Sequence, residues 1–273
     1  MINLAISNIA WPANLDRDMA SFLSSVDIRH LEIAPSRLWP DARRVSPHDI
    51  DSYASLWRNH GIRIVSMQSL FYGHPDLEIF GPGRFDALAY LHSLYKIASR
   101  IGASRLVFGS PANRLASKFG LDSNSAFDSA CEFFLSAGND AASFGIKLCI
   151  EPNPAVYGCD FIVNAADGLA LVRAVNSPGF SLHLDSAGLY LSGDDIADSV
   201  LSSGKSVSHV HWSAPNLDHV SPESKIDYAL MHRCLQKINY DGHISIEMRP
   251  PKSGMDHASY ISSSISYARK LMA

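Results

Sequence analysis

Short runs of β-branched and apolar residues recur along the chain, and after each one apolar residues return every three or four positions. The runs predict strands at Asn3–Ser7, His30–Ile33, Arg63–Met67, Arg105–Phe108, Lys147–Ile150, Ser181–Leu184, Val207–Val210 and His243–Ile246. The longer periodic stretches predict helices at Asp16–Ser24, Pro47–His60, Arg84–Ile101, Ser123–Phe144, Ala165–Ala174, Asp194–Ser203, Asp227–Lys237 and Asp256–Leu271. In HGIRIVSM, IGASRLVFG and FGIKLCIEP a glycine stands between helix and strand, where a left-handed cap turns the chain into the sheet. The Ser-rich tail SYISSSISYA keeps an apolar period and reads as helix. Strand-helix alternation favours a parallel sheet but does not by itself separate a closed barrel from an open doubly wound sheet. The count of eight favours an α/β fold with a single (β/α)8 barrel, a TIM barrel, spanning residues 1–273 as one domain.

Composition narrows the partners. A chain of 273 residues that is 47% hydrophobic can bury one sizeable core. A formal charge of −4 offers no overall positive field to a phosphate backbone, which argues against nucleic acid. Cys131, Cys149, Cys159 and Cys234 lie far apart with no CxxC pair, so neither a zinc knuckle nor a disulfide framework is expected, and a reducing cytoplasm suits them. The N-terminal MINLAISNIAW lacks the basic and extended apolar regions of a secretory signal and reads as a first strand. No run approaches the length of a membrane span.

In such a barrel the chemistry gathers where the strands end, so a polar residue closing an apolar strand outranks one elsewhere. IKLCIE ends at Glu151, FSLHLD at Asp185, VSHVH at His211 and HISIE at Glu247; the separations of 34, 26 and 36 residues each fit one βα unit. Singly, each could be a rim salt bridge or a helix cap. Together they are oxygen and imidazole donors suited to Mn²⁺, Co²⁺, Mg²⁺ or Zn²⁺ with a coordination position left for substrate. A carboxylate ending a buried strand is costly to desolvate unless paired or coordinated.

The order of IEPNP, HLDSAG, HVHWSAPNL and YDGHISIEMR resembles the xylose isomerase-like superfamily, in the sugar-phosphate isomerase/epimerase branch that includes the ketose 3-epimerases. The likeness spans most of the chain and is strongest from Gly145 to Arg249. It implies one divalent ion, manganese first, held by Glu151, Asp185, His211 and Glu247, with the two glutamates doubling as proton-transfer groups. Epimerisation or aldose-ketose isomerisation of a small sugar or sugar phosphate would then run through a cis-enediolate, in a protein that relatives suggest is a homodimer. Two departures stand out. Gly188 occupies the place where many relatives carry a histidine three residues after the strand-six aspartate, and HWSAPNLDHV holds no arginine beyond His211.

Further residues are candidates for contact with substrate. Glu32 ends HLEIAP, Gln68 and His74 follow the third strand, His183 shares the side of its strand with Asp185, and Arg249 follows Glu247 by two positions. Glu32 is also a candidate for orienting a ligand from behind. Trp11, Trp39, Phe71, Tyr72 and Trp212 fall in or beside the expected top-face loops, where they could wall a sugar ring, and Lys118 and Lys225 read as solvated loop cations. Two other functions share this fold: a metal-dependent phosphodiester hydrolase like endonuclease IV, and a carbohydrate-binding barrel without turnover. The first needs histidines where this chain has Glu32, Gln68 and Asp185.

Overall fold

All eight predicted strands form, and their ladder closes on itself. The structure, a computed structural model, describes residues 2–273. The strands are β1 (Asn3–Ser7), β2 (His30–Ile33), β3 (Arg63–Met67), β4 (Arg105–Phe108), β5 (Lys147–Ile150), β6 (Phe180–Asp185), β7 (Val207–Ser213) and β8 (His243–Glu247). They run parallel in the order β1-β2-β3-β4-β5-β6-β7-β8, with β8 paired to β1. The helices are α1 (Asp16–Ser25), α2 (Pro47–Arg58), α3 (Arg84–Ile101), α4 (Ser123–Ser143), α5 (Ala165–Val175), α6 (Ser186–Ser192), α7 (Ile196–Ser203), α8 (Tyr228–Lys237) and α9 (His257–Met272). None of the described helices is long and apolar enough to cross a membrane.

Side-chain capping sets many of the boundaries. Ser46, Asp122, Asn164, Asp195, Asp227 and Asp256 each accept a hydrogen bond from a first-turn amide of the following helix, satisfying a donor that has no partner inside the helix. Gly102, in the left-handed region at φ 88°, closes α3 ahead of β4. The short α6 escapes sequence analysis because its first residues, SAG, have weak helical signal; its cap is Asp185 itself, which accepts from the Gly188 amide.

The register decides which side chains become neighbours. Asp185 is paired with His211, His183 with His209, Ser213 with Glu247, and Ser7 with Glu32. The ladder shifts between Leu31 and Glu32 and again between Leu182 and His183, local irregularities that re-aim the residues beyond them.

Between barrel and helices lies a row of aromatic rings. Phe71 meets Phe108 at 5.1 Å, Phe108 meets Phe134 at 5.4 Å, and Phe134 stacks on Phe180 at 4.7 Å. Trp11 and Trp212 belong to this buried core and not to a top-face wall; both are wholly inaccessible, and the Trp11 indole donates to Asp16 at 2.7 Å. Of the aromatic residues singled out in the sequence, Tyr72 alone is largely exposed. Lys118 is also less free than its loop position implied, since its ammonium pairs with Glu78. Because Phe134 joins two strands to α4, Phe134→Ala should cost about 3–5 kcal/mol of stability in urea unfolding, while Phe134→Leu should cost clearly less.

Candidate functional site

The C-terminal ends of the strands open into a cleft of about 550 Å³. Glu151, Asp185 and Glu247 line it together with Gln68, Asn153 and Arg249. Glu151 continues β5, its amide donating to the Phe108 carbonyl at 3.0 Å. Behind it the wholly buried Arg114 donates to the Glu151 carbonyl at 2.7 Å and to Asn153 Oδ1 at 2.9 Å. Gly109 packs so tightly that a Cβ built there would stand 2.3 Å from Glu151 Oε2.

Ligand-type atoms of Glu151, His183, Asp185 and His211 all lie within 4.8 Å of one another. Glu247 joins them from the far side, its Oε2 standing 3.3 Å from His211 Nδ1. That nitrogen is buried and not aligned for a hydrogen bond to the carboxylate. The opposite ring nitrogen, Nε2, donates to Glu32 Oε1 at 2.7 Å. A carboxylate only accepts, so this contact fixes the proton on Nε2 and leaves Nδ1 with a lone pair turned toward the three cleft carboxylates whenever the ring is neutral. Asp185 is held from two sides: the Ser213 hydroxyl donates to Oδ2 and the Gly188 amide to Oδ1.

Burial and mutual repulsion set the electrostatics of the cleft carboxylates. Burial, reinforced by Asp185 and Glu247, pushes the Glu151 carboxyl up to about 8. Burial and Glu247 likewise raise Asp185 to about 6, against the pull of His211 and its two hydrogen bonds. Glu32 behaves oppositely. Burial would raise it, but His211 and His209, with the Ser66 hydroxyl donating at 2.8 Å, hold it down to about 2. For His211, burial is outweighed by Glu32 and Glu247, and the ring is held well above the usual histidine range. An orphaned imidazole nitrogen facing crowded buried carboxylates fits a divalent cation: the ion would take the lone pair and neutralise the crowding.

The remaining sequence candidates separate by depth. Gln68 and Arg249 line the cleft. Gln68 is fixed by donating to Ser7 Oγ at 2.6 Å, and the exposed Arg249 donates to the Asn216 carbonyl. Glu32 and His183 do not line it. They lie beneath, fully buried, in a layer where His183 Nδ1 and His209 Nδ1 are 3.2 Å apart and His209 Nε2 is 3.2 Å from Glu32. Burial, with the neighbouring His211 and His209, keeps the His183 ring well below the usual range, so it stays neutral. His74 faces an adjoining recess and hydrogen-bonds Tyr90 Oη at 2.9 Å.

Four contributors were missed in the sequence, one of them Asn153, two residues beyond Glu151. Ser213 was legible, lying two residues beyond His211 on the same side of β7. Arg114 and Gly109 sit in the loop after β4, where nothing local marks them. A Cβ at Gly188 would lie 3.2 Å from Asp185 Oδ1 and 3.5 Å from the Pro152 carbonyl, so a larger residue there would press on the aspartate it currently caps.

The chain is 29% identical over 107 residues to an L-ribulose 3-epimerase of Methylomonas sp. (strain DH-1), a stretch covering 39% of this chain and 37% of that enzyme. A crystal structure of D-psicose 3-epimerase with D-tagatose from Clostridium cellulolyticum H10 superposes with a TM-score of 0.83 over 99% of both chains at 16% identity. The IOLI protein, solved with a bound zinc atom, superposes with a TM-score of 0.75 over 99% of this chain and 98% of that one at 15% identity. The family model for the xylose isomerase-like TIM barrel matches residues 21–271. With nearly its whole barrel matched, this chain belongs to the xylose isomerase-like TIM barrel family.

Proposed function

We propose that the protein is a metal-dependent epimerase or isomerase of ketoses, acting on a sugar or sugar phosphate through proton transfer by Glu151 and Glu247. The observation that carries this reading is the convergence of those two glutamates with Asp185 and His211 Nδ1 on one cleft. The relatives that are named as ketose epimerases support it.

Glu151, Asp185, His211 through Nδ1, and Glu247 are the residues that would hold a divalent ion, with manganese as first choice and cobalt, magnesium or zinc as alternatives. Such an ion supplies a Lewis acid that polarises a ketose carbonyl and spreads the negative charge created when the adjacent carbon loses its proton. Glu32 fixes the histidine tautomer from behind, and Ser213 and the Gly188 amide hold Asp185. Gln68, pinned by Ser7, and Asn153, pinned by Arg114, present polar groups that can position sugar hydroxyls. Among the described residues Arg249 is the one lysine or arginine lining the cleft, so a phosphate on the substrate would be met there. One glutamate removes a proton from the carbon beside the carbonyl. The other returns one to the opposite face, inverting that carbon, or to the neighbouring carbon, moving the carbonyl; the roles exchange in the reverse direction.

Three outcomes test this reading. With Mn²⁺ in deuterium oxide, the protein should exchange the C3 hydrogen of a ketose with solvent, and Glu151→Gln or Glu247→Gln should slow that exchange by about 10²–10⁴-fold, the usual contribution of a positioned acid or base. Undiminished exchange in either variant would remove the glutamates from the mechanism.

Metal uptake should be proton-linked. Because the folded-state values of Glu151 and Asp185 are raised, they stabilise the metal-free fold at low pH, and that stabilisation is lost as pH rises toward about 8 and about 6 respectively. The apparent Mn²⁺ affinity, and the rise in melting temperature on adding Mn²⁺, should therefore grow between pH 6 and pH 8. Equal shifts at both pH values would contradict it.

Gly109→Ala should displace Glu151 and reduce turnover by about tenfold or more, as expected for a misplaced catalytic group, while circular dichroism remains that of the parent.

A further inference from the structure

The strands begin as distinctively as they end. Their first residues are Asn3, His30, Arg63, Arg105, Lys147, Phe180, Val207 and His243. Three of them, Arg63, Arg105 and Lys147, are cations and none is acidic, in a chain whose formal charge is −4. Arg105 and Lys147 are register partners on β4 and β5, so their side chains leave the sheet on the same face. With Lys205, Ser208, Asn239 and Asp241 they line a concavity of about 280 Å³ at the N-terminal mouth of the barrel, opposite the carboxylate cleft.

What sets these cations apart is that three of them share one concavity, and none of the three has a carboxylate partner among the described residues. Arg29, Arg43, Arg84, Arg100 and Lys118 are each paired with a carboxylate. Among the described residues, no carboxylate lies within 4.0 Å of the charged groups of Arg105, Lys147 or Lys205, although Asp241 shares the lining. The Arg105 guanidinium is held by donating from Nε to the Ser208 carbonyl at 3.2 Å and from Nη1 to the Ser104 carbonyl at 2.9 Å. Its Nη2 edge is left uncommitted on a side chain that is already oriented. The positive field is felt nearby: burial, followed by His30, Arg105 and Arg63, holds His243 down to about 4.

Cations gathered on one concave surface focus their field and favour a compact, multiply charged anion over a monovalent one. A pre-oriented guanidinium edge adds directional donors suited to phosphoryl oxygens. We infer that the N-terminal mouth of the barrel binds a small phosphoryl oxyanion, inorganic phosphate or a phosphomonoester, held by Lys147, Lys205 and the free edge of Arg105. Neither the chemistry of the carboxylate cleft nor its metal enters into this site.

The test is calorimetric titration of the metal-loaded protein with inorganic phosphate and, separately, with glycerol phosphate, at constant ionic strength. Uptake of one anion should be saturable, and the Lys147→Ala/Lys205→Ala variant should bind at least tenfold more weakly. Lys96→Ala/Lys270→Ala, which removes the same charge from exposed helix positions, should bind as the parent does. If the first variant folds poorly, Lys147→Met/Lys205→Met keeps the aliphatic stems and should show the same loss. Saturable uptake of glycerol phosphate but not of phosphate would identify the esterified form as the ligand. Absence of saturable uptake of either anion, or binding unchanged by the lysine substitutions, would overturn the inference.

Discussion

Three carboxylates converge where the barrel strands end, and they cannot share that buried space as anions without a compensating charge. Glu151 and Asp185 respond by rising to about 8 and about 6. Glu32, equally buried, is held down to about 2 because two imidazoles and a hydroxyl face it. The contrast separates two roles. Glu32 is matched by imidazole and hydroxyl partners and serves as a fixed support, whereas the cleft carboxylates crowd one another and, on the proposed reading, would be matched by a cation. The contact between Glu32 and His211 Nε2 joins the two sets, because it turns the other nitrogen of that ring, Nδ1, toward the cleft carboxylates.

Much of this was legible in the sequence. Apolar runs broken by glycine located the strands, since a parallel barrel strand is covered on both faces and reads as a short hydrophobic block. The polar residues closing those blocks gave the four candidate ligands. What the sequence could not convey was depth. His183 shares its strand with the cleft residue Asp185 and Glu32 closes an apolar run as the cleft residues do, yet both lie below the cleft, beside register shifts at Leu182/His183 and Leu31/Glu32. Trp11 and Trp212 look like loop aromatics until packing draws them into the core. Arg114 and Gly109 act through close approach to Glu151 across the loop after β4, a relation between segments that no local pattern encodes.

The barrel is also charged asymmetrically, with cations where strands begin and carboxylates where they end. Each end gathers like charges in one concavity without a full complement of opposite charge. Buried or concave unpaired charge is expensive, and its persistence at both ends is a physical reason to look for ligands of opposite sign there.

Anomalous diffraction from manganese-soaked crystals addresses the central claim most directly. The account predicts a single ion within coordination distance of Glu151, Asp185, His211 Nδ1 and Glu247, with His211 Nε2 still bonded to Glu32. An ion seated instead among His183 and His209, or no ion while the carboxylates remain crowded, would contradict it.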